Sequence, residues 1–309
     1  MNNNVREFIN ADTKFQAAIH AWEIHLVNEG CSTNTVKAFL SDVRLLASNI
    51  PPDRSIGSLT TKDINQFLHW MENERNVPCS PKTYSRRITS IKSFYKWLKT
   101  YGVIEHDPAE KIIQKSVISP LPEILTSVEY QAVLDAANSF RFGAKPDARP
   151  IALTQLLLAT GIKKNETLGI YPNHIDLEDP DHPVLYIRYD SPTNRYKERK
   201  IELPVDWIPV YQEYLDQKSQ ARTKKVFDFK ARTLEYVLEE VGKTAGLTKH
   251  VSFNMCRWTS AVHDYYVNMD PEAIRIKQGV SKIQWREIFM KLKQLRDLYA
   301  PPAQKPQEE

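Results

Sequence analysis

Between two stretches of helical patterning runs a segment that neither a helix nor a central strand can cross. It reads EHDPAEKIIQKSVISPLPE over residues 105–123, with prolines at 108, 120 and 122. Proline fixes φ, offers no backbone N–H and pushes the residue before it toward extended geometry. The segment is therefore expected to be an extended linker. It divides the chain into a helical domain at 1–104, the linker at 105–123 and a second domain at 124–300, with 301–309 (PPAQKPQEE) as a disordered tail. Each part on either side of the linker is long enough for its own core.

In the first part, Ala17, Ala18, Trp22, Ile24 and Leu26 give a roughly helical apolar pattern that stops at Gly30. Ser32 or Thr33 caps a second helix with Val36, Leu40, Val43 and Ala47 on one face. A third is expected from Thr61 to Glu74 through Ile64, Phe67, Leu68 and Met71. Pro81, at a first-turn position, opens a fourth that runs to Gly102. The second part begins with Thr126-Ser127-Val128-Glu129, a capping-box spacing that starts a helix. After an apolar helix at Ile151–Ala159, Val184–Tyr189 alternates as a strand, Ser191–Asn194 turns, and Lys197–Leu203 returns as its hairpin partner. Helices resume at Val205–Lys218, Thr233–Ala245, Met255–Val267, Pro271–Lys277 and Lys282–Leu298. The fold class is mainly α with a small β-sheet (α+β).

Composition excludes several classes. The N-terminus lacks the basic-then-apolar run of a signal peptide, and the most apolar stretch, Ile151–Ile162, is too short to span a bilayer. Cys31, Cys79 and Cys256 are far apart and without CxxC spacing, which fits free thiols in a reducing cytosol. The histidines form no ligand cluster with cysteines or carboxylates, so neither a metal nor another cofactor is expected. The net charge of +4 leans basic, but where the charge sits carries more information than its sum.

That charge concentrates in SPKTYSRRITSIKSFYKWLKT, residues 80–100, which holds six Lys or Arg and no acid. Tyr84, Ile88, Ile91, Tyr95 and Leu98 share one face at 4-3-4-3 spacing, suited to a core. Opposite them lie Lys82, Arg86, Thr89, Ser93 and Lys96, a stripe of point charges for phosphates with hydroxyls and a guanidinium that can reach base edges. The second helix adds Asn34, Lys37 and Ser41. A solvated helix face is the plain alternative, but two neighbouring helices of this character point to a nucleic-acid clamp.

The order of motifs resembles the tyrosine recombinase (phage integrase) family over residues 12–300. The TYSRRITSIKSFYKWL helix is followed by Asp107-Pro108-Ala109, Leu121-Pro122 and Leu125-Thr126-Ser127-Val128-Glu129. Then come Thr160-Gly161-Ile162-Lys163-Lys164-Asn165-Glu166-Thr167-Leu168, Lys197-Glu198-Arg199 with Leu203-Pro204, Asn254-Met255-Cys256-Arg257-Trp258-Thr259, and Gln278-Gly279-Val280 with Phe289 nine positions on. The resemblance implies an N-terminal helical core-binding (SAM-like) domain and a C-terminal domain of the recombinase catalytic type. It also implies transesterification at a DNA phosphate by two arginines, two histidines, a hairpin lysine and a tyrosine.

Carried over, those positions fall on Lys163 and Arg257, on Asn254 and Val280, near Asn194 with Arg195 and Lys197 close by, and on Phe289, while Glu166 is retained. Lys163 keeps charge but loses the bidentate fork. Asn254 moves no proton near neutral pH, Val280 has no polar group, and Phe289 has no oxygen to attack with, so Val280 and Phe289 are expected as core filling of a former polar pocket. His250 and His263 are out of register with the family's pair and read as surface or packing residues.

The resulting expectation is a cytoplasmic, nucleoid-associated protein that binds double-stranded DNA sequence-specifically, its two domains closing as a clamp. It would be no enzyme, and would serve as a transcriptional regulator or repressor of a phage or mobile element. Lys163, Arg195, Lys197 and Arg257 would join the first domain's stripe as DNA contacts, with Arg257 alternatively ion-paired to Glu166. Other readings are an inactive subunit or accessory factor of recombination, an active recombinase with a relocated nucleophile, and a helical module that binds protein. Helix 282–298 is the candidate surface for self-association or for docking on an active recombinase.

Overall fold

The computed structural model describes residues 8–77, 79–114, 120–218 and 224–299. The chain divides into two units, Met1–Pro120 and Leu121–Glu309. Linker residues 115–119 and the tail 301–309 lie outside the described residues.

Among the described residues, unit 1 is built on the helices α1 (Phe15–Asn28), α2 (Thr33–Ser48), α3 (Thr61–Asn73) and α4 (Pro81–Thr100). Their starts are written in the sequence. The Ser32 hydroxyl accepts from the Thr35 N–H, Thr60 and Asp63 form a reciprocal capping box, and Ser80 accepts from Thr83 with Pro81 in the first turn. The core centres on Trp22 and Phe94, whose rings meet edge to face at 5.2 Å. The buried set on α1 is Phe15, Ala18, Ile19, Trp22 and Leu26. Ala17 and Ile24, expected on that face, are instead exposed, Ile24 by 53%. At 100° per residue neither shares the stripe of Ala18, Trp22 and Leu26. The expected faces of α2 and α3 are otherwise as the spacing implies, with Leu46 more buried than Ala47.

Unit 2 is α+β. It begins with α5 (Ser127–Ser139), started by the Thr126–Glu129 capping box, and α6 (Arg149–Thr160), which is buried on nearly every side. After the four-residue α7 (Lys164–Thr167), a three-stranded antiparallel sheet forms in the order β1 (Ile175–Asp176), β2 (Val184–Ile187), β3 (Arg199–Glu202). Val184 pairs with Glu202 and Ile187 with Arg199, so the expected hairpin forms, with strands shorter than Val184–Tyr189 and Lys197–Leu203. Its connection is a 3-10 turn at Pro192–Lys197. Helices α8 (Trp207–Lys218), α9 (Ala231–Thr244), α10 (Phe253–Tyr266), α11 (Pro271–Lys277) and α12 (Lys282–Tyr299) complete the unit. The strand β1 was not expected, since two residues leave no periodicity to read.

The main core packs α6 against α5, α8 and α10, with Leu185, Ile187 and Ile201 of the sheet in the same cluster, and the Trp207 indole N–H donates to the Ala152 carbonyl at 2.9 Å. A smaller cluster of Val262, Ile274, Leu292, Leu295 and Tyr299 fastens α11 and α12 onto α10. No helix of the described residues is long and apolar enough to cross a membrane.

Candidate nucleic-acid interface

The site in unit 2 begins where α6 must stop. Gly161 turns left-handed at φ +61°, and a Cβ there would come within 2.2 Å of the Gln278 side chain, so glycine suits both the turn and the close approach. The turn delivers Lys163 to the start of α7, where the Glu166 carboxylate accepts its backbone N–H at 2.8 Å.

The exit of α11 faces this turn. The last carbonyls of a helix lack intrahelical partners and carry the negative end of its dipole. Here four consecutive carbonyls each receive a cation from a different place. Arg199 Nε donates to Lys277 O at 2.7 Å, Arg257 to Gln278 O, Lys163 Nζ to Gly279 O at 2.9 Å, and Arg275 to Val280 O at 2.6 Å. Arg257 also donates to Gly161 O, tying the two turns together. Gly279 again has positive φ (+56°), and a Cβ there would meet the Arg199 guanidinium at 2.6 Å.

Beneath this rake lies a buried ion pair. Arg199 grips Glu166 with two N–H groups at 3.1 and 3.0 Å, their side chains 4% and 1% exposed. Lys163 Nζ stands 3.6 Å from the same carboxylate, and the Tyr189 hydroxyl donates to it. Burial alone would push the Glu166 carboxyl up, but Arg199 and the hydrogen bonds hold it at about 2. Burial lowers Arg257 to about 10, and it also lowers the Lys163 ammonium. The alternative of an Arg257–Glu166 ion pair is not what forms: Arg199 takes the carboxylate, and Arg257 is spent on carbonyls. Arg199 stood in the quoted Lys-Glu-Arg motif without a role, because strand alternation says which face a residue takes but not which partner it meets.

Lys163 and Arg257 share a cleft of about 730 Å³ with Asn254, Lys164, Arg232 and His250. A guanidinium has five N–H donors and an ammonium three, so both residues keep donors beyond those given to carbonyls. Val280 and Phe289 do not line this cleft. Phe289 lies between Trp285 (5.6 Å, stacked) and Tyr265 (5.6 Å, edge on), with Lys293 over its ring. Val280 lines a separate hollow of about 170 Å³ with Lys197, Arg199 and Gly279. The expectation that these two apolar residues fill the former polar pocket is therefore corrected, because the cleft stays open. Lys197 Nζ donates to Asn194 Oδ1 at 2.7 Å within the hairpin turn, and Arg195 is exposed there, so none of the three hairpin candidates joins Arg257 in the cleft. His250, read as a surface or packing residue, does line it. Arg232 and Lys164 were missed because their roles arise from tertiary placement, which no local motif announces.

In unit 1, Asn34, Lys37, Ser41, Lys82, Thr89 and Lys96 are exposed, and Ser93 is half-buried. Two members of the stripe are already engaged. Arg86 donates to the Asp42 carboxylate at 2.5 Å and to Ala38 O, and the Thr89 hydroxyl donates to Ser85 O and accepts from Gln114. Arg86, expected to reach base edges, is thus one half of an ion pair with Asp42. Asp42 was overlooked as an acid in an otherwise apolar run, and burying it requires just such a partner.

Comparison with known proteins agrees with this architecture. Residues 19–103 match the phage integrase N-terminal SAM-like domain and residues 123–293 the phage integrase family. Tyrosine recombinase XerC of Corynebacterium efficiens is 27% identical over 286 residues, 88% of this chain and 85% of its own. A tyrosine recombinase of Thermosipho africanus is 27% identical over 268 residues, 84% of this chain and 89% of its own. Among solved structures, the XerH site-specific recombinase bound to its palindromic difH substrate superposes with a TM-score of 0.68 at 16% identity, covering 96% of this chain and 91% of its own. The expectation that Phe289 marks a chain that is no enzyme is corrected by these relatives, which are named as recombinases and therefore as enzymes. With both domains matched in order, the chain belongs to the phage integrase, or tyrosine recombinase, family.

Proposed function

We propose that this chain binds duplex DNA at a preferred sequence in the cytoplasm, on the nucleoid, and that its occupancy regulates transcription in a phage or other mobile element. The observation that carries this reading is the pairing of Lys163 and Arg257 in one open cleft, each oriented by a backbone carbonyl and each with donors to spare. Cations held this way are preorganised for a phosphate and lose little rotamer freedom on binding. The exposed Asn34, Lys37, Lys82 and Lys96 of unit 1 supply further contacts on the same polyanion. Solved relatives of similar fold were captured on DNA, among them a lambda integrase dimer on a core site, which supports duplex binding and self-association alike.

Mobility shifts and footprinting on genomic fragments test the proposal. The expected result is protection of one or a few sites, weakened about tenfold or more by Lys163→Gln, since a charge-assisted hydrogen bond contributes roughly 1.5–3 kcal/mol. Uniform, sequence-blind binding would defeat it. A second reading, site-specific recombination itself, is favoured by the names of the curated relatives. It predicts a covalent adduct between a tyrosine of unit 2 and a nicked suicide substrate, which peptide mapping would locate.

A further inference from the structure

The cleft holds two groups that the family's motif positions do not account for. His250 stands in the loop before α10, four residues ahead of Asn254, and Arg232 lies in the first turn of α9; both line the cleft beside Lys163 and Arg257. The inner cations are already tied, Lys163 to Gly279 O, Arg257 to two carbonyls, and Lys164 to Glu235 at 2.8 Å. His250 is exposed, and its ring makes no hydrogen bond or ion pair among the described residues. Arg232 gives its Nε–H to the Tyr236 hydroxyl at 2.7 Å and lies over that ring, which fixes the guanidinium while leaving its terminal N–H groups available.

We propose that His250 and Arg232 form a second phosphodiester seat in this cleft, beyond the one offered by Lys163 and Arg257, and that His250 makes duplex binding depend on pH. The seat rests on the duplex-binding reading above.

The charges around the ring set the sign. From α9 come Arg232, Glu235, Tyr236 and Glu239; from the α7 turn, Lys163 and Lys164; from α10, Asn254 and Arg257. Both carboxylates are already answered, Glu235 by Lys164 and Glu239 by Lys243 at 2.8 Å. The hydrogen bond from Lys243 is the main reason the Glu239 carboxyl lies below its ordinary range, and His250 adds a lesser pull. With those carboxylates paired off, Arg232 and Arg257 stand outside any ion pair among the described residues and Lys163 shares Glu166 with Arg199, so the cleft is net positive. A phosphate entering there meets a neutral imidazole as a poor partner and an imidazolium as a good one, so binding takes up a proton. Binding is therefore favoured at acid pH and weakens as pH rises.

Phosphate oxygens are presented alike by a duplex backbone and by inorganic phosphate, so both serve as probes. Affinity of the full chain for a duplex selected from random sequence is measured at about pH 6 and about pH 8.5, spanning the histidine range. Wild type is expected to bind roughly five- to tenfold more weakly at the higher pH. His250→Gln should abolish that difference. Arg232→Gln should weaken binding at both pH values and reduce the salt slope by about one. His182→Gln, which alters a histidine paired to Glu202 outside the cleft, should keep the wild-type pH response.

Retention of the pH response in His250→Gln, or its absence in wild type, overturns the seat while leaving duplex binding in place. Loss of sequence preference in wild type at both pH values overturns the duplex-binding reading and the seat with it. In the second arm, the His250 ring is titrated by NMR with inorganic phosphate alone. A raised midpoint together with unchanged duplex affinity in His250→Gln would assign the site to a free anion and overturn the duplex seat.

Discussion

Arg199→Met is expected to lower the unfolding free energy of unit 2 by about 3–5 kcal/mol, the usual cost of removing one partner from a buried ion pair. Methionine keeps much of the volume, so the loss is electrostatic rather than a cavity effect. Glu166 would remain 1% exposed, with Lys163 at 3.6 Å and the Tyr189 hydroxyl as its remaining side-chain partners, and the Lys277 carbonyl would lose its Arg199 donor. The pH dependence has a definite sign. In wild type the Glu166 carboxyl is held at about 2, so its contribution is fully present above the ordinary carboxylate range and is lost as pH falls through that value. In the variant, burial dominates and the carboxyl titrates above its ordinary value, so acidification relieves it. The gap between the two proteins should therefore narrow between about pH 6 and about pH 3. Replacing Glu166 by leucine in the same chain should recover much of the loss, since apolar substitutes for buried pairs are often neutral. Chemical denaturation of the three proteins across that range is the measurement. A single variant as stable as wild type at neutral pH would sink the claim.

The pair also shows where sequence reasoning stops. Element positions were legible because caps, glycines and periodicity act within a few residues: Ser32 and Thr126 each cap the helix that their spacing announces, and Pro81 opens the fourth helix of unit 1. The hairpin itself was legible from alternation in Val184–Ile187, its register only from the structure. The partner of Glu166 was not legible, because Arg199 lies 33 positions away and Arg257, Lys163 and Arg199 all carry suitable charge. The same limit applies to the four carbonyls at 277–280, whose donors come from α6–α7, β3, α10 and α11. Exposure of Ile24 was mistaken for burial because a short apolar list fits a helix loosely unless its phase is checked.

Phe289 and Val280 carry a related lesson. Their lack of polar atoms is plain from sequence, yet it led to two expectations that do not hold: that the cleft is filled, and that the chain stands outside the enzymes of its family. The first fails because α12 turns the Phe289 ring toward Trp285 and Tyr265 and away from the space beside Arg257. The second fails on kinship, since chains named as recombinases align with most of this one. A missing side-chain oxygen is a statement about one position, and an enzymatic role belongs to the whole assembly that positions a phosphate.

In unit 1, Asp42→Asn is expected to raise duplex affinity by roughly tenfold while costing the fold about 1 kcal/mol or less. Asp42 is 3% exposed, accepts from Arg86 at 2.5 Å and from Ser90 at 2.7 Å, and stands 3.6 Å from Arg87 Nε. With Arg44, Arg75, Arg86 and Arg87 it lines a hollow of about 310 Å³, where it is the one carboxylate among four guanidiniums, of which Arg44 also pairs with Glu23 at 3.9 Å. Burial pushes the Asp42 carboxyl up in spite of Ser90 and the two arginines, which means the fold favours its uncharged form. An amide of the same shape keeps the hydrogen-bond acceptor and avoids that desolvation, hence the small cost in stability. By the same sign, wild type loses stability as pH rises through the Asp42 titration, and the Asn variant does not. Binding moves the other way. Neutralising the carboxylate frees Arg86, 40% exposed, for a phosphate, a charge-assisted contact of roughly 1.5 kcal/mol that steepens the log–log salt slope by about one. Affinity measured over a salt series, beside thermal unfolding of the same preparations, separates the two effects. A folded Asp42→Asn protein with unchanged affinity and slope would place DNA away from this face and favour a protein partner for unit 1 instead.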